Sequence, residues 1–192
     1  METKFILHGG FDPNKKIQED DLFFSEILKS APNVVKILLV YFSKDFTKEP
    51  DKKISYEKDD ILQFEKNKGE KELIFEVAEE QNFLEQIKKS DVIYLRGGNT
   101  SILLNNLNKF STLTEEFNGK IIGADSAGVN SIAGYCYTHS SNAILKGMGI
   151  VPFKTICHYT EKFKDKAEEL NKYDKNLELL ILKENQYKVF NK

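Results

Sequence analysis

The stretch IIGADSAGVN, residues 121–130, constrains this chain more than any other. Ile121, Ile122, Gly123 and Ala124 make a short apolar run that reads as the end of a buried strand. Asp125-Ser126-Ala127-Gly128 then turns sharply, and a helix is predicted from Val129 onward. Ala124 and Gly128 stand on either side of Ser126. A tight strand-to-helix elbow needs small residues there, because larger side chains would clash where the backbone doubles back. Such an elbow holds the serine Oγ above the sheet and points the N–H of Ala127 toward an oxygen bound beside it. The same residues also suit a plain β–α junction in which Ser126 only caps the helix.

The rest of the chain supplies an α/β frame. Residues 4–10, KFILHGG, read as a central strand ending in a glycine turn, where open α/β sheets bind ligands. His8 is a catalytic candidate there by position alone, and more simply a histidine packed beside the site. Helical periodicity follows over residues 19–28 at Leu22, Phe23, Ile27 and Leu28, then a strand over residues 34–41. Strand, glycine turn, helix and strand make a βαβ unit, which favours a parallel sheet with helices on its faces. A charged segment leads to a helix over residues 56–67 with Ile61, Leu62 and Phe64 as buried candidates, and Asn67-Lys68-Gly69-Glu70 as its stop. A strand is expected over residues 72–77 and a helix over residues 81–88. Near the end, residues 177–182 and 187–190 read as two strands of a hairpin joined by Lys183-Glu184-Asn185-Gln186. No Pro- or Ser-rich linker and no repeat interrupts the chain, so residues 1–192 are expected to form a single domain.

Two further blocks carry chemistry. In DVIYLRGGNT, residues 91–100, a strand over 92–95 runs into the turn Gly97-Gly98-Asn99, and Asn99 or Thr100 can cap the helix over 101–107. Backbone N–H groups at such a turn can bind an anion or a developing oxyanion, although a glycine pair alone is also an ordinary βα turn. The block matches neither GxGxxG nor GxxxxGKS. In VPFKTICHY, residues 151–159, a strand over 153–157 ends at His158, on the same sheet edge as Ser126 and Gly98. A neutral imidazole there can take the Ser126 proton and later give it to a leaving group. His139 falls in a loop over residues 135–141.

Composition excludes several classes. A net charge of −2 gives no electrostatic case for nucleic acid or an anionic membrane. No apolar run approaches the roughly 20 residues of a membrane span, and the first residues do not read as a signal peptide. Cys136 and Cys157 could pair, but a reduced, cytoplasmic pair is the expectation. No CxxC or HExxH spacing points to a metal, and no cofactor is expected.

Together these blocks resemble the peptidase S51 family, the dipeptidase E-like and cyanophycinase-like serine hydrolases. The matching residues are Gly97-Gly98-Asn99-Thr100, Ser126-Ala127-Gly128, and Gly149-Ile150-Val151-Pro152-Phe153 before His158-Tyr159. The resemblance implies a flavodoxin-like three-layer sandwich with a mostly parallel central sheet, related to class I glutamine amidotransferases. It implies Ser126 as nucleophile, His158 as base, and the N–H groups of Gly98 and Ala127 as oxyanion hole, with Gly97 replacing Gly98 if the alignment shifts. A small peptide would be the substrate, and family hydrolases often pair as homodimers.

The departures are informative. Arg96 stands where a third glycine is usual, Ala124 replaces a glycine, and Asp125 directly precedes the serine. Residues 130–157 contain no Asp or Glu, so an acid orienting His158 is not found between serine and histidine. Cyanophycinase-like relatives place it after the histidine. Glu161 is then the nearest candidate, followed by Asp165, Glu168 and Glu169, all of which also suit the solvated face of a helix over residues 161–170. Dipeptidase E-like members favour an amino-terminal aspartate, which needs a cation. Arg96, the only arginine, adjoins the turn with Asn99 beside it and could pair with a substrate carboxylate. The alternative is a noncatalytic binding or regulatory protein. A glutamine amidotransferase would normally carry cysteine at the elbow.

Overall fold

The structure, a computed structural model, describes residues 2–10, 18–47 and 50–192. In chain order its elements are β1 (Lys4–His8), α1 (Gln18–Lys29), β2 (Val34–Val40), α2 (Pro50–Asn67), β3 (Glu72–Val77), α3 (Phe83–Lys89), β4 (Val92–Leu95), α4 (Thr100–Leu107), α5 (Leu113–Glu116) and β5 (Ile121–Asp125). They continue with α6 (Ala127–Ile132), β6 (Tyr135–Thr138), β7 (Ala143–Lys146), β8 (Phe153–Ile156), α7 (Lys164–Asn171), β9 (Glu178–Ile181) and β10 (Tyr187–Asn191).

Alternation along the strands creates the layers. In β1, Phe5 and Leu7 point to one face and Ile6 to the other, since successive side chains leave a strand on opposite sides. Ile6 joins Phe23, Phe24 and Ile27 of α1 and Phe64 of α2 in one apolar core. Phe5 and Leu7 join Phe83 and Ile87 of α3, Leu103 and Leu107 of α4, and Val129 and Ile132 of α6 in the other. A strand buried on both faces reads as a continuous apolar run, which is why β2, β4 and β5 look as they do. The main sheet has the order β10-β1-β5-β4-β2-β3, with β10 antiparallel to β1 and the other pairings parallel. This is an alternating α/β architecture with a mixed, mostly parallel sheet, consistent with a three-layer sandwich.

A second sheet, β7-β6-β8-β9, packs beside the first. Strands are expected at β8 and β9, but not at β6 and β7: the loop expected over residues 135–141 is in part the strand β6, Tyr135–Thr138, too short to show clear alternation. The second sheet also corrects the C-terminal hairpin. β9 lies parallel to β8, with Thr155 opposite Leu180, while β10 crosses to the main sheet, with Val189 opposite Ile6. The two strands never pair, because Leu180 and Leu182 belong in the core under the second sheet and Phe190 packs on Phe5. Residues 182–186 therefore bridge the sheets over the carboxyl end of β1. Two smaller differences concern helices. α2 starts at Pro50 and leaves Leu62 64% exposed, with Phe64 buried as expected. The helix expected over 161–170 divides into a 3-10 turn, Glu161–Phe163, and α7.

Candidate active site

The carboxyl ends of β1, β4, β5 and β8 converge, and each delivers one block of the site. β5 ends at Asp125, and α6 begins at Ala127. Between them Ser126 takes φ 46° and ψ −98°, a conformation that costs a non-glycine residue about 1–3 kcal/mol. Surrounding contacts hold it there. Ser126 N–H donates to the His8 carbonyl at 3.0 Å, and Asn130 N–H donates to the Ser126 carbonyl at 3.0 Å. A Cβ on Gly128 would stand 2.4 Å from the Leu95 carbonyl oxygen, so only glycine lets α6 approach β4 this closely.

His158 follows β8 and has φ 51°. Its N–H donates to the Gly9 carbonyl at 2.8 Å, and its Nε2 lies 2.9 Å from Ser126 Oγ. The imidazole rests on the backbone of Gly10, where a Cβ would stand 2.1 Å from His158 Cε1. The carboxylate at its far nitrogen is that of Glu184: Oε1 lies 3.2 Å from Nδ1. Glu184 sits in the bridge between the sheets, anchored by Gly9 N–H to the Gln186 carbonyl at 2.8 Å and by Asn185 N–H to the Gly10 carbonyl at 3.2 Å. Glu161 is exposed in its 3-10 turn, so the acid beside His158 is Glu184 in its place. Glu169, another acid considered, pairs with Lys166. The one usable signal for Glu184 was the lack of any acid over residues 130–157, which points downstream. The step to Glu184 itself needs the bridge between the sheets.

A cavity of about 320 Å³ opens at this point, lined by Lys44, Tyr56, Arg96, Gly97, Gly98, Asp125, Ser126 and His158. Gly97 is the nearer of the two glycines to the serine: a Cβ there would stand 3.3 Å from Ser126 Cβ, whereas a Cβ on Gly98 would meet Ser43 Oγ at 2.6 Å. Ser43 Oγ donates to the carbonyls of Arg96 and Gly97 and fixes the turn. Ala127 begins α6, so its N–H has no partner within the helix. Asn99 caps α4, its side-chain oxygen accepting from Ile102 N–H at 3.1 Å, and it lines an adjoining cavity of about 390 Å³.

Arg96 is differently placed from the expectation. It is 5% exposed, its Nη1 pairs with Asp60 Oδ1, and its guanidinium lies 4.5 Å from the Tyr56 ring centre. Burial lifts the Asp60 carboxyl to about 6 while the guanidinium of Arg96 works to lower it. Tyr41 O–H donates to the other Asp60 oxygen at 3.0 Å. The arginine charge is thus already matched inside the protein. Cys136 and Cys157 are free and buried, and burial pushes the Cys136 thiol up to about 12 and that of Cys157 well above its usual value. Neither is a competent nucleophile near neutral pH.

His8 is fully buried, with Nδ1 3.2 Å from Asp125 Oδ1 and Nε2 3.2 Å from Asp20 Oδ1. Burial works to lower its pKa, but the two aspartates outweigh burial and raise it from 6.5 to about 9. Between those values the folded protein keeps a proton that the unfolded chain has released. The stabilisation is therefore complete below pH 6.5 and lost as pH rises toward 9. The urea midpoint should fall across that window, by the equivalent of roughly 2–3 kcal/mol, and His8→Gln should flatten the slope. An unchanged slope in His8→Gln would show that another group titrates.

By fold, the class is a mostly parallel α/β sandwich, and it superposes on two crystal structures of peptidases. One is a peptidase from an acI-B1 Actinobacterium, with a TM-score of 0.67 and 16% identity, covering 99% of this chain and 84% of that one. The other is a putative Peptidase E protein from Listeria monocytogenes EGD-e, with a TM-score of 0.69 and 17% identity, covering 100% of this chain and 98% of that one. At such identities the likeness is one of fold. No curated protein matches the sequence significantly. Residues 50–191 match the sequence profile of Peptidase family S51, and the chain belongs to that family. Family membership supports a peptidase-type hydrolase acting on a peptide-type substrate. Among the described residues no helix is long and apolar enough to cross a membrane.

Proposed function

We propose that the protein is a serine peptidase that hydrolyses small peptides through an acyl-enzyme. The observation that carries this reading is the 2.9 Å contact between Ser126 Oγ, at a positive-φ elbow, and His158 Nε2. His158 takes the Ser126 proton as Oγ attacks the scissile carbonyl carbon. It then gives that proton to the leaving amine as the peptide C–N bond breaks. In the second half it draws a proton from water, whose oxygen attacks the ester carbonyl, and returns that proton to Oγ. Glu184 accepts a hydrogen bond from Nδ1–H, which fixes the tautomer and supports the imidazolium. The Ala127 N–H and an N–H of the Gly97-Gly98 turn face the developing oxyanion. Gly98 is the donor implied by the resemblance, and Gly97 is supported by its proximity to Ser126.

A preference for an amino-terminal aspartate is a finer part of the same reading. It is supported by two cations on the cavity wall, Lys44 and Arg96. Because Asp60 already balances Arg96, Lys44, which lies 4.4 Å from the Tyr56 ring centre, is the better carboxylate partner. Lys44→Gln should then lower the preference for Asp-X over Ala-X dipeptides.

A small fluorophosphonate tests the core of the proposal. One adduct is expected, mapped to Ser126 by peptide mass and absent from Ser126→Ala. No adduct, together with no hydrolysis across a dipeptide panel, would leave a binding protein on a peptidase fold.

A further inference from the structure

Behind the serine lies a row of buried charges that acyl transfer does not use. Asp20 of α1, His8 at the end of β1 and Asp125 at the end of β5 are 2%, 0% and 4% exposed. The His8 ring stacks on Phe23 with centres 4.5 Å apart and stands between the two carboxylates, 3.2 Å from each. With an imidazolium at its centre the row carries one surplus negative charge. Beyond its contact with His8, Asp20 has no hydrogen-bond partner among the described residues, and it does not line the cavity. Asp125 does line it, so the surplus faces the substrate there.

The two oxygens of Asp125 have different surroundings. Oδ1 is held by His8. Oδ2 has no hydrogen-bond partner among the described residues, and it stands 2.6 Å from the point where a Cβ on Gly97 would be. That same point is 3.3 Å from Ser126 Cβ. Only a glycine fits at that point, and Gly97, Asp125 and Ser126 all border the same cavity. Of the other charges on the wall, Arg96 is paired with Asp60, His158 faces Glu184, and Lys44 lies over the Tyr56 ring, so none makes an ion pair with Asp125 among the described residues.

We propose that Asp125 Oδ2, propped by His8 and Asp20, is the binding site for the free α-ammonium of the substrate. The proposal rests on the serine peptidase reading for the position of the scissile carbonyl. In an amino-terminal residue the α-nitrogen and the carbonyl carbon share one Cα and lie about 2.5 Å apart. A nucleophile and an ammonium acceptor that serve one residue must therefore border one cavity, as Ser126 and Asp125 do. An ammonium offers three charge-assisted donors to the carboxylate, whereas an interior residue offers one uncharged N–H followed by more chain. The site so built takes a peptide by its unblocked amino terminus and releases that first residue. His8 and Asp20 act through Asp125 and are positioning residues.

Calorimetric binding to full-length Ser126→Ala, which cannot turn substrate over, tests this. The probes are aspartyl-leucine and alanyl-leucine, each against its N-acetylated form. Free-amino peptides should bind roughly 10- to 100-fold more tightly, and adding Asp125→Asn should bring the ratio near one. Equal affinities, no binding of either form, or a ratio that Asp125→Asn leaves unchanged would each overturn the proposal. Should Asp125→Asn fail to fold by circular dichroism, His8→Gln decides: the ratio should fall several-fold, and an unchanged ratio overturns it. Fluorophosphonate labelling of the wild type reports separately on the peptidase reading. An amino-terminal preference without labelling keeps the ammonium site and removes the hydrolase.

Discussion

Replacing His158 with alanine should lower peptidase turnover by about 10⁴-fold or more, because in the proposed mechanism Ser126 then has no base to take its proton. Glu184→Gln should cost less, about 10²-fold. A buried triad acid can be worth roughly 10⁴-fold, but the His158 and Glu184 side chains are 36% and 48% exposed, so water supports part of the imidazolium charge. Glu161→Gln should stay within about twofold, since that carboxylate only faces solvent. Steady-state kinetics on one dipeptide with all three variants decides the order. Equal losses for Glu184→Gln and Glu161→Gln would remove Glu184 from the mechanism.

Gly10→Ala should lower kcat/KM by about 10²-fold, although Gly10 makes no contact a substrate would need. An added Cβ would stand 2.1 Å from Cε1 and 2.4 Å from Nδ1 of His158. The backbone of Gly10 is fixed by Asn185 N–H and by β1, so the ring is the part that moves, and its 2.9 Å bond to Ser126 goes with it. The φ of +147° at Gly10 adds backbone strain for any L side chain. The rate of fluorophosphonate labelling should fall in parallel with kcat/KM, while circular dichroism stays that of the wild type. Wild-type labelling in a folded Gly10→Ala would show that His158 does not activate Ser126.

These expectations draw on two kinds of information. The run Ile121–Asp125, the small residues around Ser126 and the glycine turn after Leu95 were legible because each is a local demand. A buried parallel strand needs an apolar run, and a tight elbow needs small neighbours. The glycines were less fully read. Gly97 and Gly98 announced a turn, but that Gly97 lies over Asp125 and Ser126, and Gly98 over Ser43, depends on chains meeting from distant positions. Gly10 looked like a plain turn residue until His158 arrived on its face.

The acid and the arginine show the same division. The absence of Asp and Glu over residues 130–157 indicated that any partner for His158 lies outside that span, yet proximity in sequence pointed to Glu161. Glu184 was hidden in what read as a hairpin turn, because four-residue strands do not reveal which sheet they join. Arg96 beside a glycine turn read as a substrate partner until α2 brought Asp60 against it from 36 positions away. Asp125 was a departure without a role until β1 and α1 set His8 and Asp20 behind it.

By itself, then, the sequence determined the α/β alternation, the elbow at Ser126, and the placement of His158 at a strand end on the same edge. Side-chain size, apolar periodicity and turn chemistry act over a few residues and leave a readable pattern. Only the tertiary structure decided which carboxylate faces each cation. A charged side chain looks alike whether solvated or paired, and its partner is set by which strands neighbour in the sheet and where the bridge between the sheets crosses.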